Sequence, residues 1–290
     1  MEVLTKMIDC HTHFFTVWDK PEFTAEMLVK HMDKLGIEKF CVLPITSPEN
    51  PYFMHTTEDV LAAYKKFPDR IIPFCDVDPR KGKNHPSTDF SWILKRYKDM
   101  GCRALGEMTA NLYFDDPLCK NLYHHCGEAG LPITFHLYTK IGGSYGLVDD
   151  LHMPRLEKCL QEFPKTVFLG HAMAFWSEIS ADVTDQTRGG YPKGKVTAPG
   201  KLAELLKKYP NMYGDISAGS GFNAITRDME YCYKFLDEFQ DKLLFGTDLC
   251  HPVQDCPIVD FFRNSLKDGK MSKVVYDKIT VGNITKLLGL

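Results

Sequence analysis

The 290-residue sequence lacks several features that identify particular classes of protein. It has no CxxC pair, and no apolar stretch reaches the roughly 18 residues that a membrane span needs. It also has no basic excess, since 35 Lys and Arg stand against 38 Asp and Glu, for a net charge of −3. We therefore expect no membrane association and no nucleic-acid partner. The ten scattered cysteines are best interpreted as reduced thiols that serve as small core residues.

The remaining composition is that of a soluble globular protein. Hydrophobic residues make up 44% of the chain, charged residues 25% and aromatic residues 12%, which excludes disordered and fibrous classes. Residues 1–6 show no basic leader followed by an apolar core, so a cytoplasmic location is expected. A length prior alone suggests two domains, but a (β/α)₈ barrel, also called a TIM barrel, accommodates this length around one core.

Short apolar runs alternate with longer stretches of helical period, which predicts parallel strands joined by crossover helices. Proline or glycine follows several of the helices and marks their ends. The predicted strands are 7–11, 39–43, 71–75, 102–107, 133–136, 167–170, 212–215 and 243–246. The predicted helices are 25–35, 58–67, 90–100, 117–129, 154–163, 202–209, 228–239, 259–266 and a last segment at 274–278.

Eight such units favour a closed barrel over the alternative, an open doubly wound sheet. Chemically distinctive residues stand at the ends of early, middle and last strands, and only closure brings the first and last strands together. We therefore predict one barrel domain over residues 1–290. Two long loops, 138–153 after the fifth strand and 172–199 after the sixth, would lie over its mouth.

The first predicted strand ends in a pair of histidines, His11 and His13. Because side chains alternate along a strand, both imidazoles project to the same side and can bind one cation. Histidine is the commonest neutral ligand of zinc and similar metals. An isolated HxH pattern is weak evidence, so the argument depends on the other strand ends.

Four more strand ends carry ionisable residues of ligand type: Glu107, His136, His171 and Asp248. A single ionisable residue at a strand end is common in proteins. Together, however, these residues indicate an active site at the C-terminal face of the barrel, where the active sites of such barrels lie. Nitrogen and carboxylate ligands without thiolate suit an open catalytic site for Zn²⁺, Mn²⁺, Fe²⁺ or Ni²⁺.

The carboxylates can be assigned different roles. Asp248 is the candidate to hold a metal-activated water and carry its proton to the product. Asp9 either orients a ligand imidazole or is a buried hydrogen-bonded acid, and the sequence does not decide between these. Asp215 could orient a ligand histidine from behind.

These motifs, as an ordered set, resemble the amidohydrolase superfamily, in particular its amidohydrolase-related branch of metal-dependent barrel hydrolases and decarboxylases. The resemblance runs from Asp9-Cys10-His11-Thr12-His13 to Phe245-Gly246-Thr247-Asp248-Leu249. It implies the barrel fold, with the histidines at 11, 13 and 136 as metal ligands. It also implies a metal- or substrate-binding role for the histidine at 171 and a metal-ligating acid/base role for the aspartate at 248.

One departure concerns the fourth strand. Many two-metal members carry a carbamylated lysine there, whereas this chain has Glu107, similar to the glutamate-bridged relatives. The resemblance therefore leaves open whether the site binds one metal ion or two. It implies hydrolysis of a small amide, lactone or ester, with His171 stabilising the oxyanion, or alternatively decarboxylation of a small carboxylic acid at the same site. The net negative charge argues against a phosphodiester hydrolase, because phosphodiester backbones favour clustered Lys and Arg. A non-catalytic metal-binding barrel is a further alternative.

Residues in the loops are candidates for binding a small-molecule substrate. Tyr138 and Trp176 stand in the two long loops. The aromatic and glycine content of the second loop suits a lid over a small organic substrate, and the alternatives are a structured surface insertion or a contact within a homo-oligomer. Arg227 could bind a substrate carboxylate or phosphate, or pair with a neighbouring acid. His251, three residues after Asp248, could contact substrate or be merely exposed.

Overall fold

The computed structural model describes residues 6–15, 22–51 and 55–290, which contain nine strands and twelve α-helices, besides a short 3₁₀ helix and a π-helical turn. The strands are β1 Ile8–Thr12, β2 Lys39–Val42, β3 Ile71–Pro73, β4 Leu105–Met108, β5 Ile133–Tyr138, β6 Leu147–Val148, β7 Phe168–His171, β8 Met212–Asp215 and β9 Leu243–Leu244. The helices are α1 Ala25–Leu35, α2 Thr57–Lys66, α3 Ser91–Asp99, α4 Pro117–Ala129, α5 Pro154–Glu162, α6 Met173–Trp176, α7 Lys201–Lys208, α8 Ala218–Thr226, α9 Met229–Glu238, α10 Pro257–Lys267, α11 Lys273–Asp277 and α12 Asn283–Leu288.

The eight predicted strands are present and parallel, and they form the (β/α)₈ barrel in two arcs. One arc has the order β1-β2-β3 and the other β4-β5-β7-β8-β9, with β6 paired to the outer end of β5. Backbone hydrogen bonds join the arcs at both seams. At the first seam the Cys75 amide donates to the Ala104 carbonyl at 3.0 Å, and at the second the Cys10 amide donates to the Phe245 carbonyl at 2.9 Å.

Two hydrophobic layers follow from the alternation of side chains along the strands. Residues that face the helices form the larger layer, and a smaller cluster fills the barrel interior, closed at one end by Ile284 and Leu288 of α12. Leu169 of β7 belongs to the interior cluster, and His171 follows two residues later on the same face. The inward-facing residues at the C-terminal ends of the strands therefore lie at the mouth of the barrel.

The loops contain more regular structure than the sequence indicated. The predicted loop 172–199 begins with the short helix α6, and the Gly- and Ser-rich segment after β8 is the helix α8. Burial of Ala224 and Ile225 explains α8, because an apolar face packed on the barrel outweighs the low helix propensity of glycine. All ten cysteines are free thiols and eight are buried. Within the described ranges, no helix has both the length and the apolarity needed to cross a bilayer.

The second seam depends on a buried contact between Asp9 and Thr247. The Thr247 hydroxyl and amide both donate to the Asp9 carboxylate, at 2.6 and 3.0 Å. We predict that Thr247→Val lowers the free energy of unfolding by about 1–3 kcal/mol, because it leaves a buried carboxylate short of a donor. Thr226→Val is the control, since that hydroxyl bonds only within its own helix. Equal denaturation midpoints for the two variants would contradict the prediction.

Candidate metal centre

His11 and His13 direct their Nε2 atoms at each other across 3.0 Å. The Nδ1 atoms on the far side of both rings are hydrogen-bonded to the protein. His11 Nδ1 donates to Asp215 Oδ2 at 2.6 Å, and His13 Nδ1 donates to the Leu43 carbonyl at 2.7 Å. With Nδ1 protonated in both rings, both Nε2 atoms present lone pairs to the same point. Two lone pairs repel at this distance, and either a proton or a metal cation between the two Nε2 atoms relieves that repulsion.

Glu107 and Asp248 bring two carboxylate oxygens to the same point. Glu107 Oε2 lies 3.7 Å from His11 Nε2 and 3.5 Å from His13 Nε2. Asp248 Oδ1 lies 3.7 and 3.4 Å from the same two atoms. Ligands about 2.0–2.2 Å from a tetrahedral zinc ion are about 3.3–3.5 Å apart. His11, His13 and Asp248 form a close group of candidate ligands, so this donor set can hold a divalent ion.

His171 and His136 lie beside this cluster in different ways. His171 Nδ1 contacts the Ser217 hydroxyl at 3.0 Å, which turns Nε2 toward Glu107 at 3.8 Å and Asp248 at 3.9 Å. His11, Glu107 and His171 also form a close ligand group. His136, which is expected to bind metal, places Nδ1 2.8 Å from Glu107 Oε1 and so also supports that carboxylate.

Burial and charge differ among the carboxylates. Burial alone would raise the pKa values of Glu107 and Asp215, but hydrogen bonds and charge from the surrounding histidines hold both well below the usual range. The Asp248 side chain is 24% exposed, whereas that of Glu107 is 4% exposed. Asp248 adopts a left-handed backbone conformation, with φ of 54°, and its amide donates to the His11 carbonyl at 2.8 Å. It is therefore an anchored carboxylate with access to the mouth of the barrel.

The structure separates the two open interpretations of Asp9. Its carboxylate accepts from the His11 and Thr247 amides and from the Thr247 hydroxyl, and not from an imidazole. Burial raises the pKa of Asp9 to about 7. Asp9 is thus a buried, hydrogen-bonded acid at the seam, while Asp215 is the residue that orients His11.

Two expected substrate contacts are corrected by the structure. Trp176 is 1% exposed and its indole N–H donates to the Asp215 carbonyl at 2.8 Å, so it packs behind the site. Arg227 donates to the carbonyls of Gly194 and Lys195 at 3.0 and 3.2 Å. Its guanidinium therefore links the long loop after β7 to the end of α8, and these two carbonyls already occupy the donors Nε and Nη2.

The other two loop candidates differ in position. Tyr138 ends β5 two residues after His136, on the same face, and packs against the 143–146 turn. His251 accepts the Val253 amide at 3.4 Å within its own loop, and no contact joins it to the metal cluster in the described part of the chain.

Two tyrosines near the site, Tyr145 and Tyr191, were not among the site residues predicted from the sequence. Tyr145 places its ring centroid 4.7 Å from that of His136, edge to face, and Tyr191 packs against Gly219 at the start of α8. Both stand in long loops, where neither periodicity nor spacing identifies a residue that turns inward. Only the folded loops reveal their position.

Comparison with known proteins fits this geometry. A sequence model of the family described as amidohydrolase matches residues 8–290. The chain belongs to the amidohydrolase family. A search of curated proteins gives no significant match to this chain.

Solved structures share the barrel at low sequence identity. An uncharacterised TIM-barrel protein from Bordetella bronchiseptica is 16% identical with a TM-score of 0.68, covering 98% of this chain and 99% of its own. An amidohydrolase from Burkholderia multivorans with bound zinc is 12% identical with a TM-score of 0.63, covering 99% and 100%. A dihydroxybenzoic acid decarboxylase from Polaromonas with bound manganese is 16% identical with a TM-score of 0.62, covering 99% and 98%.

The contact between Asp215 and His11 predicts the effect of a conservative change. Asp215→Asn should weaken Zn²⁺ or Mn²⁺ binding about 10- to 100-fold, because the amide no longer accepts strongly from His11 Nδ1. Isothermal titration of the metal-free protein measures this. Asp76→Asn is the control, since Asp76 is also a buried carboxylate but bonds to Thr46. Unchanged metal affinity in Asp215→Asn would contradict the assigned role.

Proposed function

We propose that this chain is a metal-dependent hydrolase that cleaves a small amide, lactone or ester. The observation that carries the proposal is the position of Asp248. It reaches the histidine pair, with Oδ1 3.4 Å from His13 Nε2, and it remains partly open to the barrel mouth. A carboxylate in this place can act on both a water at the metal centre and a substrate above it.

The donor set supports one divalent ion held by His11, His13, Glu107 and Asp248. When bound, such an ion activates water at neutral pH and polarises the carbonyl that is attacked. Zinc and manganese are the favoured candidates, because imidazole and carboxylate donors suit both and the Burkholderia and Polaromonas structures contain them. We infer that the glutamate is a ligand and that His136 orients it.

The proton path is assigned to residues of this chain. Asp248 takes a proton from the attacking water and returns it to the leaving group. His171, oriented by the Ser217 hydroxyl, faces the same space with Nε2 3.9 Å from Asp248 Oδ2 and stabilises the developing oxyanion. The Ser217 hydroxyl fixes His171, and the hydrogen bond from the Asp248 amide to the His11 carbonyl fixes Asp248.

Decarboxylation of a small carboxylic acid is the second candidate. The Polaromonas enzyme and a 2,6-dihydroxybenzoate decarboxylase from Rhizobium have the same fold, the latter at 13% identity and a TM-score of 0.62. The accessible Asp248 favours this candidate as well, because a protonated carboxyl there can deliver a proton to a ring carbon as CO₂ leaves. Both candidates use the same cluster and differ in the substrate atom placed next to Asp248.

Replacement of Asp248 tests the shared mechanism. Asp248→Asn should lower turnover about 10²- to 10⁴-fold, since the amide cannot accept the proton. Asp255→Asn in the same loop is the control, because Asp255 is exposed. Steady-state rates and thermal melting are measured on the metal-loaded proteins. An Asp248→Asn variant that is fully active would refute this mechanism.

A substrate panel separates the two reactions. We expect the protein loaded with Zn²⁺ or Mn²⁺ to hydrolyse at least one lactone, amide or ester of a small carboxylic acid, and His11→Ala to hydrolyse none. The rate is followed by pH-stat titration, and CO₂ release is followed on dihydroxybenzoates. CO₂ release without any hydrolysis would establish the lyase instead. Full activity in metal-free protein would overturn both.

A further inference from the structure

The segment after β9 holds Asp248 in a backbone conformation that is uncommon for residues other than glycine. Its φ of 54° lies in the left-handed region, and such a conformation persists where the surrounding structure fixes it. Two hydrogen bonds join the segment to β1. The Asp248 amide donates to the His11 carbonyl at 2.8 Å, and the Leu249 carbonyl accepts from the His13 amide at 2.9 Å. Neither bond involves the Asp248 carbonyl.

The side chain of Gln254 binds that carbonyl within the same loop. Its Nε2 donates to the Asp248 carbonyl at 2.8 Å, and its Oε1 accepts from the Cys250 amide at 2.9 Å. We call these two hydrogen bonds the Gln254 clamp. The Cys250 thiol also donates to Oε1, at 3.3 Å. One carboxamide therefore binds the peptide groups on both sides of Leu249.

The clamp is formed by a side chain that turns inward between two exposed neighbours. Val253 is 80% exposed and Asp255 is also exposed, whereas Gln254 between them is only partly exposed. The Gln254 amide donates to the His251 carbonyl at 3.1 Å, so the main chain of the glutamine is fixed as well. This fixed main chain lowers the entropy that the side chain loses when its carboxamide binds the Asp248 carbonyl.

We propose that Gln254 is a positioning residue, whose clamp holds the main chain from which the Asp248 carboxylate projects toward the histidine pair. The inference rests on the proposed function for the role of Asp248 itself. Without the clamp, the peptide between Asp248 and Leu249 can rotate, and the left-handed residue can relax to a more favourable conformation. That rotation would displace Oδ1 from its place 3.4 Å from His13 Nε2.

Binding of Co²⁺ to the metal-free protein tests the inference, because the visible absorption of this ion depends on its ligands. Gln254→Leu removes both hydrogen bonds of the clamp and keeps a side chain of similar size. We expect it to weaken Co²⁺ binding about tenfold and to change the spectrum, as for other residues that orient a metal ligand. Gln240→Leu is the matched control, because that carboxamide also donates to a main-chain carbonyl, of Asp237 at 2.7 Å. Thermal melting confirms that both variants fold.

A double-mutant cycle separates positioning of Asp248 from general stabilisation of the loop. If Gln254 acts through the Asp248 carboxylate, Gln254→Leu should weaken Co²⁺ binding less than about twofold once Asp248→Ala is present. An equal loss in both backgrounds would overturn the inference. On a substrate that the panel identifies, Gln254→Leu should lower kcat about 10- to 100-fold with KM changed less than about twofold, because the acid/base group is misplaced.

Failure of this inference can be distinguished from failure of the proposed function. Hydrogen exchange of the Cys250 amide in the metal-free protein measures the clamp directly, and we expect Gln254→Leu to accelerate it about tenfold. Unchanged exchange would overturn the clamp. Faster exchange with unchanged Co²⁺ affinity and spectrum would overturn the positioning role and leave the proposed function intact. An unsubstituted protein that binds no Co²⁺, Zn²⁺ or Mn²⁺ would overturn the proposed function and, with it, this inference.

Discussion

The approach of two imidazole nitrogens to 3.0 Å is the constraint on which the site depends. Neutral histidines do not hold their lone pairs so close unless a proton or a cation lies between them. Here each ring is fixed on its far side, by the Asp215 carboxylate and by the Leu43 carbonyl. The protein therefore supplies the orientation, and the free energy of ion binding offsets the repulsion.

This orientation requires the whole barrel. His11 and Asp215 are 204 residues apart in sequence, and Asp9 and Thr247 are 238 apart. Both contacts form only when β1 lies beside the last strand, so closing the barrel and assembling the site are one event. The buried position of Trp176 behind Asp215 extends the same support outward from the strands. Residues outside the candidate ligand set thus determine how those ligands are oriented.

Much of the fold was predictable because it depends on local patterns. The helices α1 and α4 have the predicted bounds, since an apolar stripe and a terminal glycine define them. The inward residues at the strand ends were predictable for the same reason. Which nitrogen of His136 faces which partner depends on neighbouring strands, and the sequence alone could not reveal that it supports Glu107.

The roles of loop residues were harder to predict, because a side chain in a loop can bind several chemically similar partners and the sequence does not indicate which one lies nearby. An arginine near a helix start can bind a ligand, an acid or a carbonyl, and Arg227 binds the carbonyls of its own protein. That use has a consequence for specificity. The rigid strand ends hold the reacting groups, whereas side chains such as Asn111, which donates to the Gly146 carbonyl at 3.1 Å, and Arg227 set the loops that carry Tyr145 and Tyr191. Under the proposed function, the strand ends supply the reacting groups and the loops face the substrate, so we expect a change in the loop anchors to alter substrate choice and leave the metal centre unchanged.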